Sequence, residues 1–260
     1  MLDILKAVFY EPIYNGFVFF LSVTPGADVG LSIILVTIAV RFILLPFSHK
    51  HVSSQAQIKK IEPEVSEIRN KYTDRQEQAK RIMELYQKHG INPFSSCLFV
   101  LLQIPVIFSL YWVFFKGLPD LNPEILYSFI LLPETLNMHF LGVFDMVGKS
   151  VFLAFLAGIS QYYQINLSVP LKPKPTDGEP LSFRDEFQRN MGFQLRYMLP
   201  VLVFFVSYTI SAAVALYWFT SNLFSIAHEL IVKRKASAIM AANTEPETNS
   251  EDRQKSRSQS

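Results

Sequence analysis

Apolar residues in this chain gather into long runs broken by charged stretches, and the lengths of those runs predict its elements. A helix rising about 1.5 Å per residue needs roughly 20 apolar residues to cross a bilayer. Residues 29–48, 94–115 and 150–168 have that character, and a longer run covers 195–232. The last run is nearly long enough for two spans, and SYTISAA in its middle is its least hydrophobic part. It therefore predicts a tight helical hairpin of spans 195–210 and 213–232. Residues 120–145 are apolar too, but Pro123, Pro133 and several acids interrupt them. That composition suits an outer loop with short interfacial helices better than a sixth span. The expected fold class is all-α: a polytopic membrane protein whose five transmembrane helices form a core over residues 28–232.

Two flanking patterns are amphipathic. Leu2, Leu5, Phe9, Ile13, Phe17 and Phe20 recur every three or four residues, with Asp3, Lys6 and Asn15 largely off that face. Residues 1–27 thus read as an outer interfacial helix lying on the membrane. Within residues 50–91, Ile58, Ile61, Val65, Ile68 and Tyr72 form a stripe that needs a partner. Pro63 should bend or restart that helix. A second helix begins at TDRQ, where Thr73 can cap and Gln76 can reach back, and it presents Ala79, Ile82, Met83 and Tyr86. It stops at Gly90, a left-handed cap, and Asn92-Pro93 opens the second span. The outcome is an antiparallel helical hairpin projecting from the core. The tail 233–260 is Ser/Asn/Gln-rich with mixed charge and is expected to be disordered.

Composition names the solvent. Half the residues are apolar and 23 are Phe, which points to lipid. The formal net charge of +2 matters less than its distribution. Nine Lys and Arg fall in 50–91, and Lys172, Lys174, Arg184 and Arg189 lie between the third and fourth spans. The loop 116–149 has only Lys116 and Lys149, against Asp120, Glu124, Glu134 and Asp145. Basic loops stay cytoplasmic, so the N-terminus is placed outside and the C-terminus inside, as an odd number of spans requires. No small-residue cleavage site follows the first apolar patch, and a cleaved signal is not expected.

Chemistry of the catalytic kind is not expected. Cys97 is the sole cysteine, which excludes an intramolecular disulfide and a thiolate cluster. His49 and His51 are two apart, the wrong spacing for one helix face, and His89, His139 and His228 are isolated, so neither a metal nor another cofactor is expected. Nucleophile elbow, phosphate loop and paired carboxylates are all missing, which argues against an enzyme. Acids interleave the bases of the hairpin, so a solvated charged face competes with contact to anionic lipid or ribosomal RNA; DNA is not an expected partner.

What remains is the depth of the polar residues. With directions assigned, Arg41, Gln161, Gln164, Asn166, Thr220, Ser221, Asn222, Ser225 and Gln103 all fall in the inner halves of their spans. The outer half is mostly Phe, Leu, Ile and Val, and the pattern suggests a cavity open to the cytoplasm that ends partway across. Gly30, Thr37, Arg41 and Ser48 share one face of the first span. An arginine facing lipid costs about 3 kcal/mol on insertion scales, so it normally faces water or protein. A snorkelling arginine is the competing reading, as are plain interhelical hydrogen bonds for the glutamines. No acid lies at the depth of Arg41, since Glu229 is nearer the interface. A small-solute transporter or channel would also use a polar half-cavity and stands as the alternative function.

Several stretches then carry a resemblance: TIAVRFILLPF, IEPEVSEIRNKY in the basic hairpin, GINPFSSCLFVLLQIPVIFSLYWVF, LAGISQYYQ and ALYWFTSNLFSIAHELIVKRK. In this order and spacing the chain resembles the YidC/Oxa family of membrane protein insertases, from about Tyr10 to Arg234, in a short form without a large outer domain. The resemblance implies a bacterial plasma (inner) membrane protein that moves nascent membrane proteins into the lipid bilayer without nucleotide hydrolysis. It also makes Arg41 the groove arginine, has Gln164 and Trp218 line the same groove, and has residues 50–91 receive substrates. Ribosome and Sec translocon are the further partners it brings in. The chain departs from its relatives at SAAVA, where many have proline and glycine, and at His228 and Glu229, which replace a glutamine-rich pair.

Overall fold

The computed structural model describes residues 6–72, 74–91, 104–114, 121–168 and 192–257. A wide turn, Lys6–Tyr10, leads into α1, Glu11–Val23. Helix α1 buries Ile13, Tyr14, Phe17, Val18 and Leu21 in the main core; of the expected apolar stripe Ile13 and Phe17 lie on that face, whereas Phe20 is only partly buried. Asn15 departs from that pattern. It is buried, because its amide donates to the carbonyls of Glu11 (2.8 Å) and Ile125 (3.0 Å) while its oxygen accepts from the N–H of Tyr127 (2.7 Å). A polar side chain enters the core where a loop supplies every partner it lacks. Tyr14 ties the same loop, its hydroxyl accepting from the N–H of Asn122 at 2.6 Å.

Asp28 caps α2, Val29–Ile43, by accepting from the N–H of Leu31 at 2.8 Å. After a break at Leu44, α3 continues as Leu45–Lys60. Pro63 then sits in the first turn of α4, Glu62–Lys71, so the proline restarts the helix as its chemistry requires. Helix α5, Arg75–Lys88, is capped by Asp74, whose carboxylate accepts from Gln76 and Glu77. This corrects the expected cap at Thr73, which lies outside the described residues. Gly90 at φ 65° ends the helix, with Ile91 N–H bonding to the carbonyl of Tyr86 and Gly90 N–H to that of Gln87. The hairpin has its own core of Ile61, Val65, Ile82, Leu85 and Ile91, with Ile58, Ile68 and Tyr86 partly buried. Leu85 occupies the place expected of Ala79 and Met83, both of which are exposed: positions 82, 85 and 86 face α4 and rotate 79 and 83 away.

Residues 104–114 form α6; the rest of the expected second span, with the Asn92-Pro93 turn, lies outside the described residues. The segment 121–150, the expected outer loop, holds a three-residue turn, Pro123–Ile125, and a ribbon of β1, His139–Phe140, and β2, Phe144–Asp145, where short interfacial helices were expected. The ribbon rests on α2. A Cβ on Gly30 would lie 2.3 Å from the Phe140 ring, so only glycine permits this approach. Helix α7 is Val151–Ser168, and a wide turn, Gln194–Met198, leads into α8, Leu199–Ile210. Ser211 alone is extended (φ −166°, ψ 163°), and α9 follows as Ala212–Arg257. The break falls inside SYTISAA, and Gly148 and Met146 accept from the N–H groups of Ala212 (2.7 Å) and Ala213 (3.1 Å). Helix α9 runs on through the tail expected to be disordered; KRKASAIMAA after Val232 is rich in strong helix formers.

The chain is mostly helical. Its main core joins α1, α2, α6, α7 and the first turns of α9 through Phe17, Ile33, Leu110, Leu153, Ala213 and Leu216. Among the described residues no helix is long and apolar enough to cross a membrane. Helices α2 and α8 have 15 and 12 residues, whereas α7 and α9 lose hydropathy to Gln161, Gln164, Thr220, Ser221 and Asn222. The residues proposed to matter are thus the ones that weaken the apolar signal.

Candidate functional site

Polar side chains meet where α2 and α7 pack on α9. Arg41, in the last turn of α2, is half-buried and donates from Nε to the Ser221 hydroxyl at 2.9 Å, with Nη2 on the same oxygen. Among the described residues no carboxylate pairs with Arg41. Ser221 is buried and is itself placed by α9, where Ser225 donates to its carbonyl at 3.0 Å. The guanidinium therefore holds a full charge against a neutral acceptor that uses only a fraction of its five donors. Thr37, one turn earlier on the same face, is buried and turns its hydroxyl back to the carbonyl of Ile33 at 2.6 Å. Phe42 and Phe224 close the seam beside it, edge to face at 5.2 Å. Trp218 packs half-buried against the main core.

A second polar row ties α7 to α9. Gln161 donates to Gln164 (3.2 Å), Gln164 to Ser168 (3.0 Å) and Ser168 to Glu229 (2.6 Å), whose other oxygen holds Lys233 at 2.9 Å. Lys233 also reaches the carbonyl of Leu167. The Glu229 side chain is 5% exposed and that of Lys233 is 40% exposed, so the acid is enclosed and its partner opens to solvent. Nearer the middle, Asn222 donates to Ser160 Oγ at 3.1 Å and is buried. The structure thus brings Arg41 of α2 to Ser221 of α9 and Asn222 of α9 to Ser160 of α7, while Gln161 and Gln164 of α7 reach α9 through Ser168 and Glu229. Gln103 lies outside the described residues.

The missed participants are Ser160, Ser168 and Glu229. Their signal was spacing: Gln161, Gln164 and Ser168 stand three and four apart, and Trp218, Asn222, Ser225 and Glu229 stand four, three and four apart. Both are helical stripes of polar residues, the mirror of an apolar seam. From Ser221 to Glu229 is eight residues, about 12 Å along α9. Along α9, therefore, Ser221 receives from α2 a cation with no acid partner among the described residues, and Glu229, two turns on, is an acid already paired with Lys233. His49 and His228 face each other below, with ring centroids 5.8 Å apart. Two clefts, of about 350 and 360 Å³, lie elsewhere, one on the hairpin between α4 and α5 and one over the outer end of α1.

Comparison with known proteins gives the family. A family model described as 60Kd inner membrane protein matches residues 20–239. A relative from Clostridium tetani, described as membrane protein insertase YidC, is 30% identical over 223 residues, covering 85% of this chain and 89% of the relative. The chain belongs to the YidC family of membrane protein insertases. Relatives of the same description from Wolinella succinogenes and Francisella tularensis subsp. novicida are 32% and 31% identical over 210 residues, or 80% of this chain. The chain spans only about a third of those two, 34% and 33%. A crystal structure described as an active YidC insertase with its first transmembrane domain resolved shares the fold, with a TM-score of 0.51 at 23% identity over 85% of this chain and 45% of that one.

Proposed function

We propose that this chain inserts nascent membrane proteins into the lipid bilayer and that Arg41 attracts the acidic ends of its substrates. The observation that carries this reading is the state of Arg41: half-buried, held by one neutral hydroxyl, and without a carboxylate among the described residues. Glu229, the one buried acid among the described residues, is already satisfied by Ser168 and Lys233 and does not quench the arginine. A guanidinium so placed offers its remaining donors to a ligand carboxylate in a bidentate fork.

In this reading five spans cross the membrane: α2 with the start of α3, the segment 94–115, α7, α8 with its leading turn, and the first half of α9. The N-terminus lies outside, the C-terminus and the α4–α5 hairpin inside, as the loop charges require. Polar groups at the inner level of α2, α7 and α9 line the groove in this reading. A substrate meets the hairpin, its polar end enters beside Arg41, and its apolar part passes into lipid. The groove shortens the dry distance the polar end must cross, and burial of apolar area at roughly 25 cal/mol per Å² drives release. Nucleotide hydrolysis has no part in this scheme.

The test is complementation in cells depleted of their own insertase. Arg41→Lys should retain much of the function, because a point charge suffices for attraction, and Arg41→Ala should lose it. Full function of Arg41→Ala would leave the residue a snorkelling anchor and end the proposal.

A further inference from the structure

The outer ribbon carries a feature that insertion does not use. Its turn, Phe140 to Val143, closes with the N–H of Val143 on the carbonyl of Phe140 at 3.1 Å, and both central residues have positive φ: Leu141 at 55° and Gly142 at 69°. Such a turn favours Asn-Gly, because Asn tolerates the left-handed region and leucine does not. Here the strained position holds an apolar side chain, and it is displayed. Leu141 is 72% and Val143 is 73% exposed. The rung next to the turn is the reverse, with Phe140 against Gly30 and Phe144 stacked on Phe152 of α7 at 5.8 Å. The fold therefore clamps the ribbon by that rung and holds two apolar residues out at its tip.

We infer that this tip inserts into the outer leaflet of the bilayer and anchors the outer cap in lipid. Water would favour a polar residue at both exposed positions, and the turn would favour Asn at the first, so an apolar tip answers to an apolar medium. At the start of α7, Val147, Val151 and Phe152 are exposed as well, and that face lies against lipid if α7 spans the membrane. A second segment of the same cap repeats the theme, with Phe129 and Leu131 exposed over the outer end of α1. Separate narrow prongs suit a fluid medium that fills around each; a protein partner needs a broad continuous patch. The side of the membrane rests on the topology proposed above.

The experiment uses the full chain with Cys97 replaced by Ser, reconstituted into right-side-out vesicles of phosphatidylcholine and phosphatidylglycerol. An environment-sensitive fluorophore is placed through Leu141→Cys, Val143→Cys or, on the polar rung, His139→Cys. Nitroxide lipids labelled near the headgroup end of the chain should quench the first two several-fold more than the third. Equal quenching with water-like emission at all three sites overturns the inference, and so does a blue-shifted label that lipid does not quench, the mark of a protein contact. Leu141→Asn, which suits the turn and keeps the ribbon folded, should reduce quenching of the label at position 143; unchanged quenching also overturns it. A membrane-impermeant reductant reads the side separately. Bleaching before permeabilisation supports the outer assignment; bleaching only afterwards refutes the topology and the outer-leaflet assignment, with quenching still reporting whether the tip lies in lipid.

Discussion

Replacing either end of the Glu229–Lys233 pair should have unequal consequences, because its two partners are unequally buried. Glu229 is enclosed and receives Ser168 at 2.6 Å and Lys233 at 2.9 Å. Glu229→Gln keeps the shape and leaves Lys233, already 40% exposed, to turn to water and to the Leu167 carbonyl. The loss is the charge on one hydrogen bond and a half-solvated ion pair, about 1 kcal/mol in total. Lys233→Ala instead strands a carboxylate inside the α7–α9 seam with one hydroxyl for company. That should cost about 2 kcal/mol, less than the roughly 3–5 kcal/mol of a pair buried at both ends. The double variant removes the stranded charge and should return to about the level of Glu229→Gln. Reversible unfolding in mixed micelles, followed by tryptophan fluorescence, reads the differences; a gap of about 1 kcal/mol is a roughly fivefold change in the unfolding equilibrium. The reasoning fails if Glu229→Gln costs as much as Lys233→Ala, or if the double variant is no more stable than Lys233→Ala.

Other consequences are local. Gly30→Ala should destabilise the outer cap by about 1–3 kcal/mol through overpacking against Phe140, and Phe140→Ala should relieve much of the clash, as thermal unfolding in detergent would show. Asp74→Ala should cost the hairpin about 1 kcal/mol, seen as faster amide exchange along α5 with α7 and α9 unchanged. Asn15→Ala orphans the N–H of Tyr127 and takes the side-chain donor from the Ile125 carbonyl, so amide exchange should quicken in residues 122–127 before α1 itself loosens.

Features with local causes were legible in the sequence. Pro63 restarts a helix, Gly90 ends one and the polar centre of SYTISAA breaks one, because backbone chemistry acts within a few residues. The stripe of Ile61 and Val65 found its partner on the next helix, in Ile82 and Leu85, because a short turn brings the two helices together. Features with distant causes were not legible. Asn15 is inside only because residues 125 and 127 come to it. Glu229 looked like an interfacial acid, since Ser168 lies 61 positions away along the chain. The ribbon at 139–145 has two residues to a strand, too few for any alternation to register. At the site, Arg41, Gln161, Gln164 and Asn222 stood out in the sequence as polar residues set in apolar runs. Their sharing into separate hydrogen-bonded groups, Arg41 on Ser221 without an acid among the described residues and the glutamines closing on Glu229, needed the packing of three helices.

The most direct measurement is a kinetic cycle in proteoliposomes holding purified parent or Arg41→Ala protein. Two substrates differ only at the translocated terminus, one carrying Asp and the other Asn, and insertion rates are measured for all four combinations. If Arg41 binds the incoming carboxylate, the parent should favour the Asp substrate over the Asn substrate more than Arg41→Ala does, by about tenfold, a coupling of about 1.4 kcal/mol. An Asp-to-Asn rate ratio that is the same in both proteins would contradict the proposal at its centre.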